Sequence, residues 1–176
     1  PYEVLSNKYI TNSEIIFLKR FEDCFDKFYN SGRFVTALDY LLQFYNDSFS
    51  MYEALTKYIE EKELAFMSIA SRRLYDLIVD FAIEKVPTID VQWFREQLLY
   101  DFYSSDKSDT IPESLRSVTD FSKSTKTQMK EFLKNNSQYP ASDYLARCIN
   151  GKCYVFKYSL KHPVTELYEA TYVFDF

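Results

Sequence analysis

Up to Pro140 the apolar residues recur every three or four positions, and after it they gather in short β-branched and aromatic runs. The first pattern predicts amphipathic helices and the second predicts strands. Residues 1–10 read as an extended lead-in, and Thr11 then stands at capping-box spacing from Glu14. Ile15, Leu18, Phe21, Cys24 or Phe25, and Phe28 form one helical stripe that should end near Asn30. Gly32 follows, suited to the positive φ of a C-terminal cap. A second helix is predicted from about Phe34 to Phe44 with Leu38, Leu41 and Leu42 inward, and the short connection implies antiparallel neighbours.

Asp47-Ser48-Phe49-Ser50 reads as the next break, with Ser50 and Glu53 as a capping box. Met51, Leu55, Tyr58 and Ile59 carry a third helix that decays into Glu60-Glu61-Lys62-Glu63. A fourth should span roughly Ser68 to Lys85, on Leu74, Leu77, Ile78 and Phe81, and stop at Pro87. Asp90 is placed to cap a fifth, from about Val91 to Tyr103, in which Trp93 lies with Phe94, Leu98 and Phe102. A short helical turn is expected after Pro112, and a thinly amphipathic helix from Lys123 to Asn135 holds on through Met129, Phe132 and Leu133.

Tyr144–Ile149, Asn150-Gly151 and Lys152–Tyr158 spell a type I′ hairpin, and Tyr168–Phe176 supplies a third strand. The fold class is therefore mainly α: an antiparallel helical bundle over 1–140, with a three-stranded antiparallel β-meander over 141–176 packed on it. By weight of helix the chain would be labelled all-alpha.

Composition narrows the function more than the fold. A net charge of −5 and a pI near 5.0 suit neither nucleic acid nor an anionic membrane surface. No apolar run approaches the roughly 18 residues of a membrane span. Aromatic residues make up 19% of the chain, almost all Tyr and Phe, which predicts a core of large rings. With no signal-peptide pattern and Pro1 at the start, the expectation is a piece of a longer cytoplasmic protein.

Candidate chemistry is sparse. Neither glycine has a second within reach, which rules out a Gly-rich phosphate loop. The Asn150-Gly151 turn sets Cys148 opposite Cys153 in a non-hydrogen-bonded pair, a possible cross-strand thiol pair that a reducing cytosol would keep reduced. Four-residue separation without a partner histidine makes a weak metal site, so no metal ligand is assigned. His162, the only histidine, precedes Pro163 in a polar turn and reads as a surface residue rather than a base. No catalytic residue is assigned. The ladder Phe17, Phe21, Phe25, Phe28 and Tyr29 has helical spacing and reads as core packing. Arg33, at the reversal, can bond helix carbonyls or reach a carboxylate of a neighbouring domain.

Two stretches carry a resemblance: Pro1-Tyr2-Glu3-Val4-Leu5-Ser6 with Tyr9, and Tyr29-Asn30-Ser31-Gly32-Arg33-Phe34 with Leu38 and Tyr40-Leu41-Leu42. They resemble the C-terminal domain of unknown function that follows the barrel in cobalamin-binding radical SAM proteins, labelled Fe-S oxidoreductases. Val155–Ser159 and His162-Pro163-Val164 also look like the family's terminal strand and turn. The resemblance is densest over residues 1–60. It implies a bacterial parent with a cobalamin domain and a barrel that binds a four-iron (4Fe-4S) cluster and S-adenosylmethionine through a Cys-x3-Cys-x2-Cys motif. No such triplet occurs here, so no cofactor is expected in this chain. The implied role is non-catalytic, capping the upstream radical SAM barrel and shaping access or substrate choice. Tyr2, Glu3, Tyr29, Asn30, Arg33 and Phe34 are then the candidate interdomain contacts. The alternative is a protein–protein interaction module that recruits a partner through an aromatic and acidic surface.

Overall fold

The computed structural model of the chain describes residues 9–64, 69–108, 110–118, 123–136, 138–140 and 143–175. Helix α1 (Asn12–Phe25) starts from the expected capping box, with the Glu14 amide donating to the Thr11 hydroxyl at 3.3 Å and the Thr11 amide donating to the Glu14 carboxylate at 2.8 Å. At Phe25 the bonding loosens into a π-helical turn over Asp26–Asn30, and α2 (Val35–Leu42) follows. Helices α3 (Ser48–Glu61), α4 (Ser71–Lys85) and α5 (Val91–Ser105) come next, then a 3-10 turn (Glu113–Val118) and α6 (Lys123–Asn135). Strands β1 (Tyr144–Ile149), β2 (Lys152–Lys161) and β3 (Tyr168–Asp175) form one antiparallel sheet in that order. With a sheet present the chain is mainly α, not all-α.

Several local expectations shift. The capping box of α3 is Asp47 with Ser50, whose amide donates to the Asp47 carboxylate at 2.7 Å, because the extended residue is Asp47 and not Ser50. Helix α4 begins at Ser71, and Ser68 lies outside the described residues. Leu18 and Trp93 leave the stripes assigned to them: they are 49% and 38% exposed, while Cys24, Phe94, Leu98 and Phe102 are fully buried. Each sits beside a better-placed apolar neighbour, and one residue along a helix is a rotation of about 100°.

Helix α2 packs mainly on α5, and α1 mainly on α3. The first two helices meet at the reversal itself, where the Phe28 and Phe34 rings are 5.1 Å apart, and not as a paired hairpin along their lengths. The core is aromatic as expected, with Tyr58, Tyr75, Phe81, Phe102 and Phe156 among its largest fully buried side chains.

The sheet has helices on both faces. Ile149, Phe156 and Tyr158 join the core built around α5, while Ala146, Cys148, Cys153 and Val155 form a second cluster against Met129, Phe132 and Leu133 of α6. Strand alternation accounts for this split, since successive side chains point to opposite faces.

Candidate functional site

The reversal between α1 and α2 is the best-defined feature among the residues singled out in the sequence. Its π-helical turn follows from one long step: the Ser31 amide donates to the Asp26 carbonyl, five residues back, at 3.0 Å. The Ser31 hydroxyl donates to the Lys27 carbonyl at 2.7 Å, and the Asn30 amide group donates to the Asp26 carboxylate. Gly32 takes a φ of +66°, the left-handed conformation that lets the chain turn. An added Cβ there would stand 3.4 Å from the Thr165 carbonyl oxygen, so the reversal lies against the β2–β3 loop.

The candidate contacts separate into two groups. Tyr29 is 59% exposed and stacks on Phe25 with ring centroids 4.7 Å apart. Asn30 is exposed, and its side chain serves the turn. Arg33 is half-buried, and its guanidinium forms no ion pair or hydrogen bond among the described residues. Phe34 is fully buried, with its ring 4.6 Å from that of Tyr75, so its side chain belongs to the core. Tyr2 and Glu3 lie outside the described residues.

Tyr75 lies beneath the reversal. Its hydroxyl pairs with that of Ser105 at 3.0 Å and donates to the Arg33 carbonyl at 3.4 Å. Burial raises this phenol well above its ordinary value, opposed by the Ser105 hydrogen bond and by the Arg33 charge.

The ladder is core packing in part: Phe28 is fully buried, and Phe21 and Phe25 pack against the core from its edge. Phe17, Phe21 and Phe25 are half-buried. Phe21 stacks on Phe49, which is 57% exposed, at 5.1 Å, and Tyr52 meets both Phe21 and Phe25 edge-on. These rings form a continuous aromatic face on α1 and α3, at the side where the described chain enters through Tyr9.

Three of the four charged side chains in the run Glu60-Glu61-Lys62-Glu63 that ends α3 form ion pairs. Glu60 pairs with Arg20 at 2.6 Å, Glu61 with Lys85 at 2.8 Å, and Lys62 with Glu84 at 2.8 Å. The Tyr58 hydroxyl also donates to Glu84 at 3.0 Å.

The cysteines occupy two separate places. Cys24 lies in the helical core beside the Thr56 hydroxyl, where burial pushes its thiol up to about 12. Cys148 faces Cys153 in the expected register, and both are fully buried free thiols. Burial, with the neighbouring Cys153, pushes Cys148 up to about 12. His162 accepts the amides of Val164 and Thr165 on Nδ1, at 3.3 and 3.2 Å, and so shapes the β2–β3 loop. Among the described residues no group of three or more His, Cys, Asp or Glu side chains could hold a metal ion. No helix of the described residues is long and apolar enough to cross a membrane.

One residue with a decisive role was missed in the sequence. Asp101 of α5 accepts the amides of Thr36 at 3.1 Å and Ala37 at 2.9 Å, closing the N-terminus of α2. The available signal was negative: Phe34, the N-cap of α2, has no side chain able to accept a hydrogen bond.

A protein-family model described as "Protein of unknown function (DUF4080)" matches residues 1–167. The chain belongs to the DUF4080 family. The match takes in the six α-helices, the hairpin, and the β2–β3 loop against which Gly32 lies, and it stops just before β3. No curated protein and no solved structure matches the chain.

Proposed function

We propose that this DUF4080 chain is the C-terminal accessory domain of a cobalamin-binding radical SAM protein, packed on the barrel and shaping access or substrate choice. The observation that carries this reading is the aromatic face of α1 and α3. Tyr29, Phe49 and Leu18 are each about half exposed, and they adjoin rings already in contact with one another. Apolar patches of this kind on a soluble domain mark a surface that another surface covers. Arg33 stands at the reversal next to that face, and a guanidinium is well suited to a carboxylate or backbone carbonyl of an adjacent domain.

The cofactors belong upstream on this reading. Cys24 lies in the helical core and the other two cysteines face each other across a hairpin, so this chain's thiols do not fit a cluster triplet. The chain's contribution is positional, and no chemical step is assigned to its residues.

The residues that precede Pro1 in the parent give the first test. A Cys-x3-Cys-x2-Cys triplet behind a cobalamin-type domain is expected there, and a different upstream domain would end the proposal. In the intact parent, Arg33→Ala should lower activity more than it lowers the melting temperature of this chain, and unchanged activity would count against the interdomain role. Hydrogen exchange should show α1 better protected in the parent than in the isolated chain. If protection instead appears only with a separate protein bound, the interaction-module alternative takes its place.

A further inference from the structure

A cleft of about 430 Å³ opens along β1, between α6 on one side and Tyr103 with Ile111 on the other. Its volume lies within the roughly 300–1,000 Å³ usual for small-molecule sites. The floor is apolar, formed by Met129 and Leu133 of α6, Leu145 and Ala146 of β1, and Ile111. The rim is cationic, with Lys126 and Lys130 one turn apart on α6 and Arg147 on β1. Among the described residues no carboxylate lines it, in a chain whose net charge is −5. Neither lysine pairs with a described acidic residue.

β1 is an edge strand, which raises the question of whether the cleft takes a peptide strand or a small molecule. Ile149 and Lys152 flank the two-residue turn and form the hydrogen-bonded pair, so Ala146, three residues earlier, turns its backbone groups away from β2. The outward Ala146 carbonyl already accepts the Arg147 guanidinium at 3.1 Å, and that guanidinium lies 5.0 Å over the Tyr103 ring. An added strand would need that carbonyl free. The edge is blocked where a peptide would bind, while the apolar floor beside it stays open.

We propose that this cleft binds a small anionic amphiphile, with one carboxylate or phosphate head at Lys126, Lys130 and Arg147 and an apolar body on Met129, Leu133 and Leu145. The head remains at the rim, where ammonium donors and water complete its hydrogen bonds, and only the apolar body leaves solvent. The inference is independent of the accessory-domain reading, since it concerns α6 and β1 and not the α1 face.

The test titrates the 176-residue chain with dodecanoate, dodecyl phosphate, dodecanol and dodecyltrimethylammonium, all below micelle-forming concentration. Calorimetry gives stoichiometry, and the Met129 methyl resonance reports the location. Both anions should bind once per chain, about tenfold or more tighter than the alcohol and the cation, and both should shift Met129. Replacing the two exposed lysines together (Lys126→Glu, Lys130→Glu) should weaken the anions about tenfold or more without moving the thermal midpoint. Equal binding of anion and cation, several amphiphiles per chain, or no shift at Met129 would overturn the proposal. So would an acidic extended peptide that shifts the β1 amides where dodecanoate does not.

Discussion

The carboxylate of Asp101 on α5 accepts the backbone amide of Ala37 on α2 at 2.9 Å, across 64 positions of sequence. Helix α5 serves α2 through three bonds in all, since the Thr36 amide donates to the same carboxylate and the Thr36 hydroxyl donates to the Gln97 carbonyl. A helix leaves its first amides without internal partners, and here a distant helix satisfies them. Asp101→Ala strands the buried Ala37 amide and the half-buried Thr36 amide and should cost about 1–3 kcal/mol in denaturant unfolding, whereas Asp101→Asn keeps an acceptor and should cost less. The pH dependence follows from the same site. Burial is the largest influence on Asp101 and raises its carboxyl from 3.8 to about 7, against the pull of the two amides. Between those values the folded chain holds a proton that the unfolded chain has released, so stability falls as pH rises through the interval. Asp101→Asn removes that proton from the balance. Unfolding curves across the interval should be flatter for the variant, and parallel curves would remove Asp101 as the cause.

Gly32 and Thr165 set the second prediction. Gly32→Ala should destabilise the chain by about 1–2 kcal/mol, the usual cost of placing a Cβ in the left-handed region. The added methyl, 3.4 Å from the Thr165 carbonyl, is in tight contact but not in severe overlap, so backbone strain provides most of the cost. Asn tolerates this conformation better, and Gly32→Asn should therefore recover part of the loss in thermal melts. If Asn proves worse than Ala, the crowding at Thr165 governs instead.

What could be read in advance divides by sequence distance. The hairpin register was legible because Asn150-Gly151 admits one tight turn, and both residues do take positive φ, at 49° and 69°. The Cys148–Cys153 pairing follows from it without further information. The α1 capping box was legible for the same reason, being a three-residue motif. Asp101 was not, because an acidic residue amid Tyr100, Phe102 and Tyr103 looks like a polar break in a helix until α2 is placed beside it. The tilt of α2 onto α5 was equally hidden, since the π-helical turn that re-aims the chain depends on where Ser31 finds its acceptor. The interdomain list joined residues adjacent in sequence, and their burial diverges within the turn: Tyr29 faces outward and Phe34 faces the core. Periodicity predicts a face only as sharply as its step of about 100° per residue, which is how Trp93 was placed with Phe94.

The paired thiols should be chemically quiet in the folded chain. Cys148 and Cys153 are fully buried, and burial raises both above the ordinary thiol value, Cys148 to about 12. Nucleophilic attack and oxidation require the thiolate, which is scarce at neutral pH for such groups. A disulfide-exchange reagent should label all three cysteines at once in denaturant and only at the slow rate of opening in buffer. Mass spectrometry after mild oxidation of the native chain should find them reduced. Prompt, stoichiometric labelling of either sheet cysteine would instead make the pair a redox site.

A buried bond ties the sheet to α5, the Tyr158 hydroxyl donating to the Tyr103 carbonyl at 2.9 Å. Tyr103 lies in the last turn of α5, where carbonyls have no amide ahead of them to accept from, so the phenol fills a vacancy that the helix cannot. The rings reinforce the join: Phe156 lies 5.7 Å from Tyr103 and 6.3 Å from Tyr158. Tyr158→Phe keeps this packing and removes the hydroxyl with its bond to the carbonyl, at a cost of about 1–2 kcal/mol. For a chain of this size that corresponds to a melting temperature lower by about 2–8 °C. If the helices and the sheet unfold as one unit, the amides of β2 and α5 should lose exchange protection by the same factor. Loss confined to β2 would mean that the sheet opens while the helical body stays folded, and the Tyr158–Tyr103 bond would then govern that local opening.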